Sequence, residues 1–217
     1  MKFTAALLAL VGLAAASPLP VETVEEPAEL INLEKRASLN YVQNYNGNKA
    51  NYKYNQGAGT FSCSWNNPGD FVVGLGWTTG SARSITFSGS YSTNSGSYLA
   101  VYGWLNSPLT EYYVVENYSY DPCSVSGSQN VGSVTSDGSS YKICKHTQVN
   151  QPSIKGTNTF GQYFSVRASK RSSGTVTMGN HFNAWKKSGF AASNFNYQVM
   201  AVEAFSGTGS ANMKVSG

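Results

Sequence analysis

Residues 37–217 predict an antiparallel all-β sandwich with one short helix, on three observations. Apolar and polar residues alternate in steps of two almost throughout; Tyr, Val, Phe, Thr and Ser dominate the alternating runs; clusters of Gly, Asn and Ser close each run. Alternation of that period turns one face of a strand toward a core and the other toward water, and β-branched and aromatic side chains suit a pleated surface. Many short runs separated by turn residues describe a sandwich or jelly roll.

The runs follow in order. Tyr41 to Tyr45 comes first, closed by Asn46-Gly47-Asn48, and Thr60 to Trp65 then sets Phe61, Cys63 and Trp65 on one face. Asp70 to Trp77 and Ser84 to Tyr91 precede Ser97 to Trp104, in which Tyr98, Ala100, Tyr102 and Trp104 share a face. Glu111 to Asn117 groups Glu111, Tyr113 and Val115, and turns Glu116 to the opposite face, where it is expected as a solvated outer-face residue. Gly132 to Ser136 and Ser139 to Val149 flank a Gly/Ser-rich stretch that reads as a hairpin. Thr159 to Arg167 and Gly174 to Met178 follow. Asn180 to Gly189 then breaks the period: apolar residues stand at i and i+3, Asn180 can cap and Gly189 can terminate, so a short helix packed on the outside of the sheet is predicted. Asn194 to Phe205, with Tyr197, Val199, Ala201, Glu203 and Phe205 on one face, and Ser210 to Val215 complete the set.

The N-terminal end reads differently. Met1-Lys2-Phe3-Thr4 and an apolar run from Ala5 to Ala16 have the layout of a secretory signal peptide, and the run is too short to span a bilayer. Residues 17–36 are acidic, contain Pro and end in Lys35-Arg36, as a propeptide would. The expected division is signal peptide 1–16, propeptide 17–36 and one catalytic domain over 37–217, secreted to the extracellular space. Those 181 residues suffice for one full core. They carry twelve basic and six acidic groups, a net charge of +6, but the cations are scattered and accompany no recognition motif. Neither nucleic acid nor membrane is expected as a partner, and the domain is expected to act as a monomer.

Three cysteines in a secreted chain imply one disulfide and one free thiol. Cys123 and Cys144 flank the Gly/Ser-rich hairpin and are the expected bridge, whereas Cys63 lies among core residues on its strand face. No HExxH, CxxC pair or P-loop motif is present, so no metal or other cofactor is expected. His181 is expected to be structural. Asn117-Tyr118-Ser119 is a glycosylation sequon.

Glu111 and Glu203 are the residues that carry chemistry. Each interrupts an aromatic and β-branched strand, where a carboxylate is costly to bury without a purpose. A pair of carboxyl groups among tyrosines is what glycoside hydrolysis uses, since aromatic rings stack on sugar faces. A non-catalytic carbohydrate-binding sandwich of lectin type, or a hydrolase acting on β-glucan, would share the aromatic groove, and the lectin would not need buried acids.

Tyr102-Gly103-Trp104, Pro108-Leu109-Thr110-Glu111-Tyr112-Tyr113-Val114-Val115-Glu116, Val149-Asn150-Gln151-Pro152-Ser153-Ile154, Asn180-His181-Phe182-Asn183-Ala184-Trp185 and Tyr197-Gln198-Val199-Met200-Ala201-Val202-Glu203 closely resemble family 11 glycoside hydrolases, the small endo-β-1,4-xylanases of fungi and bacteria. The resemblance runs from about Asn40 to the end. It implies a β-jelly roll of two curved sheets forming a cleft, a helix behind it, a hairpin thumb over it, and xylan as substrate. It implies Glu111 as nucleophile and Glu203 as acid/base of a retaining reaction. Tyr102 and Tyr113 correspond to tyrosines that position the nucleophile and the sugar; Tyr45, Tyr98 and Tyr197 to sugar-contacting rings; Pro152, Ser153 and Ile154 to the thumb tip; Gln162 to a hydrogen-bonding residue at its base.

Two positions tune that expectation. Asp70 occupies a place beside the acid/base that holds Asn or Asp in different members, and a carboxyl there is expected to share a hydrogen bond and a proton with Glu203 and to give an acidic optimum. Gln148 stands where many members have an arginine near the nucleophile, so the pH profile is expected to differ from theirs.

Overall fold

The computed structural model describes residues 38–217, so the proposed signal and propeptide segments lie outside the described residues. Among the described residues, thirteen strands form two sheets. The larger contains β1 (Tyr41–Tyr45), β4 (Phe71–Trp77), β12 (Phe195–Ala204), β6 (Ser97–Asn106), β7 (Leu109–Tyr118), β10 (Gly156–Arg167), β9 (Ser139–Ser153) and β8 (Gln129–Ser136), in that spatial order. The smaller contains β11 (Gly174–Thr177), β5 (Ser84–Thr93), β13 (Thr208–Ser216), β3 (Thr60–Asn66) and β2 (Ala50–Asn55).

Alternation explains which side of each strand is buried. In β5, Ile85 and Phe87 point inward and Ser84, Thr86 and Ser88 outward. Between the sheets lie Phe61, Cys63 and Trp65 of β3, Phe71, Val73 and Leu75 of β4, and Met200 and Val202 of β12. The opposite, concave face of the larger sheet carries a second cluster that includes Tyr98, Tyr102, Trp104, Tyr113, Phe164 and Tyr197. Gly74 and Gly76 fall on that concave side of β4, where a Cβ would stand 2.2 Å from the Met200 carbonyl and 2.1 Å from that of Gln198. Side chains are excluded there by the close approach of β12.

Several expectations need correction. β2 was not expected: Asn51, Lys53, Tyr54 and Asn55 are all exposed, so this edge strand has little of the half-buried alternation that marks a strand. Its Tyr52 hydroxyl donates to the Gly74 carbonyl (2.9 Å), joining it to the other sheet. The sheets are not wholly antiparallel. β7 and β10 run parallel, with Glu111 opposite Gln162 and Tyr113 opposite Phe164, because the chain returns through the β8–β9 hairpin before entering β10.

The helix, α1 (Met178–Lys186), starts two residues before the expected cap. Asn180 donates to the Ser136 hydroxyl, while Asp137 receives both the Thr177 hydroxyl (2.7 Å) and its N–H (2.9 Å). The helix is less external than expected. Met178, His181, Phe182 and Trp185 are buried, and Phe182 and Trp185 pack on Tyr112 and Phe190 behind the sheet. Gly189, at φ +98°, ends it as expected.

Glu116 is not solvated. It is fully buried on the convex side of β7, where it accepts from the Tyr141 hydroxyl (2.7 Å) and is ion-paired with Arg171 Nε. The alternation placed its side chain correctly; the second layer that covers that face was not legible from β7 alone.

Cys123 and Cys144 form the expected disulfide and Cys63 is free and buried. Cys144 lies on the concave face, opposite Phe164, whose ring stacks on Tyr113 with centroids 4.8 Å apart. The bridge is therefore nearer β7 and β10 than a remote hairpin staple would be.

Candidate active site

The concave face of the larger sheet holds a cleft of about 360 Å³. Its wall includes Tyr45 from β1, Asp70 just before β4, Tyr102 from β6, Glu111 and Tyr113 from β7, Gln162 from β10, Tyr197 and Glu203 from β12, and Pro152, Ser153 and Ile154 from the β9–β10 hairpin. These are all expected site residues. Tyr98 is the exception: it is buried beside the cleft, with its ring edge toward Tyr113 and against Phe205, and it does not line the wall.

Glu111 is 6% exposed and its carboxylate receives three hydrogen bonds. The hydroxyls of Tyr102 and Tyr113 both donate to Oε1 at 2.9 Å, and Gln162 Nε2 donates to Oε2 at 2.6 Å. The local reasons are geometric: Tyr113 lies two residues on along the same face, Tyr102 is on neighbouring β6, and Gln162 is the parallel partner of Glu111. Burial pushes the Glu111 carboxyl up to about 7, and the three donors hold it from going higher.

Glu203 has a different environment. Its Oε2 is buried with no hydrogen-bond partner, and the hydrogen bond expected between Asp70 and Glu203 is not formed; Asp70 acts on Glu203 through its charge instead. Burial, then the charges of Asp70 and Glu111, push its carboxyl well above the ordinary range, with Tyr113 pulling weakly the other way. The donors on Glu111 offset part of the effect of burial, whereas burial and neighbouring carboxylates together hold the proton more firmly on Glu203. Asp70 is exposed at the cleft edge, yet the surrounding protein still raises its carboxyl, opposed by the Lys49 ammonium, which donates to the Asp70 backbone carbonyl (2.8 Å).

Several wall residues were missed or left without a role. Trp104 donates from its indole to the Tyr102 hydroxyl (2.6 Å), and because indole can only donate, the single phenolic proton of Tyr102 is directed to Glu111. Its place on the Tyr98-to-Trp104 face was the available signal. Tyr41 stacks on Tyr197 with ring centroids 4.6 Å apart, and Gln43 and Phe160 also line the cleft. Gln148 is in the wall as well. His181 is fully buried on α1, on the far side of the sheet from the cleft, and burial lowers it to about 4.

The comparisons agree with this geometry. A model of the family described as glycosyl hydrolases family 11 matches residues 37–214. The chain is 68% identical to endo-1,4-beta-xylanase 11A of Mycosarcoma maydis and 57% identical to endo-1,4-beta-xylanase 1 of Aureobasidium pullulans, each over the whole of both chains. A solved structure from a comparison of two major endo-1,4-beta-xylanases of Trichoderma reesei superposes with a TM-score of 0.77 at 52% identity, covering 83% of this chain and all of that one. The chain belongs to glycosyl hydrolase family 11.

Proposed function

We propose that this protein is a secreted endo-1,4-β-xylanase that cleaves internal β-1,4-xylosidic bonds with retention, Glu111 attacking and Glu203 serving as acid and then base. Xylan is the substrate of the relatives named above, and the layout of residues 1–36 supports export and trimming before Ala37. The observation that carries the assignment of roles is the contrast between the two acids. Three donors on Glu111 favour its anion, whereas the unpartnered Oε2 and the neighbouring carboxylates favour protonated Glu203.

The steps follow from those states. Glu111 forms a bond to the anomeric carbon as the glycosidic C–O bond breaks, and the proton of Glu203 goes to the departing oxygen. Water then attacks the same carbon, Glu203 takes its proton, and Glu111 leaves as the carboxylate. Tyr102, Tyr113 and Gln162 stabilise that anion at the start and the end. Tyr45, 48% exposed, offers its ring to a sugar face, Tyr197 lines the cleft beneath Tyr41, and the lining of the cleft comes from one chain, in keeping with a monomeric enzyme. Proton NMR of the first product from an unbranched xylooligosaccharide should show the β-anomer before mutarotation. An initial α-anomer would overturn the mechanism, and binding without any release of sugar would favour a lectin.

Asp70 sets the pH range in this scheme. When ionised, it raises Glu203 further and makes it a weaker acid; protonation of Asp70 removes that repulsion. The productive form therefore needs Asp70 protonated and Glu111 ionised, which centres activity between the raised Asp70 titration and the value of about 7 at Glu111, on the acidic side of neutral. Asp70→Asn supplies the neutral group permanently, so the optimum should move up. Profiles of kcat/KM against pH decide this, and an unmoved optimum would remove Asp70 from the titration.

A further inference from the structure

The β9–β10 hairpin outruns the sheet that carries it. β9 has no β8 partner beyond Lys145, and β10 meets β7 only from Gly161 onward. Residues 148–158 are paired only within the hairpin, with a register shift between Asn158 and Phe160. A two-stranded ribbon standing alone is marginally stable. Yet its tip, from Gln151 to Ile154, forms part of the cleft wall, so its position decides how the cleft closes on a sugar.

The turn is stiff internally. The Ser153 hydroxyl donates to the Gly156 carbonyl (2.6 Å) and accepts from the Lys155 N–H (3.0 Å), and Asn158 donates to the Lys155 carbonyl (2.9 Å). Among the described residues, the hydrogen bonds of residues 149–158 stay within the ribbon, with one exception. Lys155 Nζ reaches out and donates to the backbone carbonyl of Asn106, at 2.7 Å, in the β6–β7 turn. That acceptor is itself anchored. The Asn106 N–H donates to the Asn194 carbonyl (2.8 Å), and Asn196 donates to the Asn106 side chain (2.8 Å). Ile154 adds an apolar contact with the concave-face cluster.

We propose that Lys155 is a positioning residue for the xylanase reaction: its ammonium ties the ribbon tip to the β6–β7 turn and holds Pro152, Ser153 and Ile154 down over the bound chain. The inference rests on the reading of the cleft as a xylan site. Lys155 is exposed and Asn106 half-buried, so the bond is weak enough to break when a polymer enters and strong enough to bias the tip toward closure. A tether of this strength shifts the balance between open and closed tips by up to about fivefold. It acts on substrate retention and leaves the bond-breaking groups untouched, since Lys155 does not line the cleft.

Lys155→Met keeps the apolar stem and removes the donor, and Lys155→Arg keeps a donor. With linear xylohexaose, the Met variant should show KM raised about threefold to fivefold and kcat within about twofold of the parent, with the Arg variant restoring KM. Amide hydrogen exchange over residues 149–157 should quicken by about threefold in the Met variant alone, at an unchanged melting temperature. Unchanged exchange and KM in Lys155→Met would overturn the proposal. If the parent protein did not cleave xylohexaose, the reading of the cleft would fail, and the exchange contrast would still decide whether the tether exists.

Discussion

Glu203→Gln is expected to remove nearly all xylan hydrolysis, by roughly 10²- to 10⁴-fold in kcat, and to raise the melting temperature at neutral pH. The first effect follows from loss of the proton donor to the glycosidic oxygen. The second follows from its electrostatics: the carboxylate lies beside Asp70 and Glu111 with one oxygen unpartnered, so its charged form is unfavourable in the fold. A carboxyl raised above its unfolded value near 4.5 binds protons more tightly when folded. It lowers stability progressively as pH rises from that value through the folded one. The gain in the variant should therefore be absent near pH 4 and present at pH 8. Glu203 is only partly buried, so solvent screening keeps the gain modest. Calorimetry at the two pH values checks this, and equal melting temperatures for parent and variant at pH 8 would contradict it.

Kinetics distinguish the two acids. An aryl xylobioside whose phenol departs without protonation should give Glu203→Gln a burst of phenol followed by slow turnover, because the intermediate forms and then lacks its base. Glu111→Gln should give neither burst nor turnover. Identical behaviour of the two variants would sink the assignment of nucleophile and acid.

Glu116→Ala should destabilise the fold by about 3–5 kcal/mol while the protein that remains folded keeps its kcat. Glu116 faces away from the cleft, and its removal leaves the Arg171 guanidinium and the Tyr141 hydroxyl without their shared acceptor in a buried site. Burial raises the Glu116 carboxyl even with these donors present, so the pair as a whole adds little net stability and the cost lies in removing one half. Arg171→Met added to Glu116→Ala should therefore recover part of the loss. Thermal unfolding of the single and double variants measures both effects, and a single variant as stable as the parent would show that the pair is dispensable.

Sequence reading alone yielded the strand periodicity, the helix and the Cys123–Cys144 pairing, and singled out Glu111 and Glu203 as candidates, because each is written locally: a period of two, a break in that period, a hairpin flanked by cysteines, a carboxylate among aromatic residues. Motif resemblance then supplied the cleft and its tyrosines. Periodicity says which face a side chain joins but not what covers that face. Glu116 was therefore expected in water, although Tyr141 and Arg171, the latter 55 residues away, enclose it. The same limit hid the parallel pairing that sets Gln162, 51 residues distant, against Glu111, the indole that directs the Tyr102 proton, the burial of Tyr98 behind the wall, and the lysine that ties the hairpin tip to the β6–β7 turn. Apart from the indole contact, which lies within β6 and needed only the shared face to be noticed, each depends on contacts between segments far apart in sequence, and only the folded sheet, bringing β6, β7, β9, β10 and β12 to one surface, determines them.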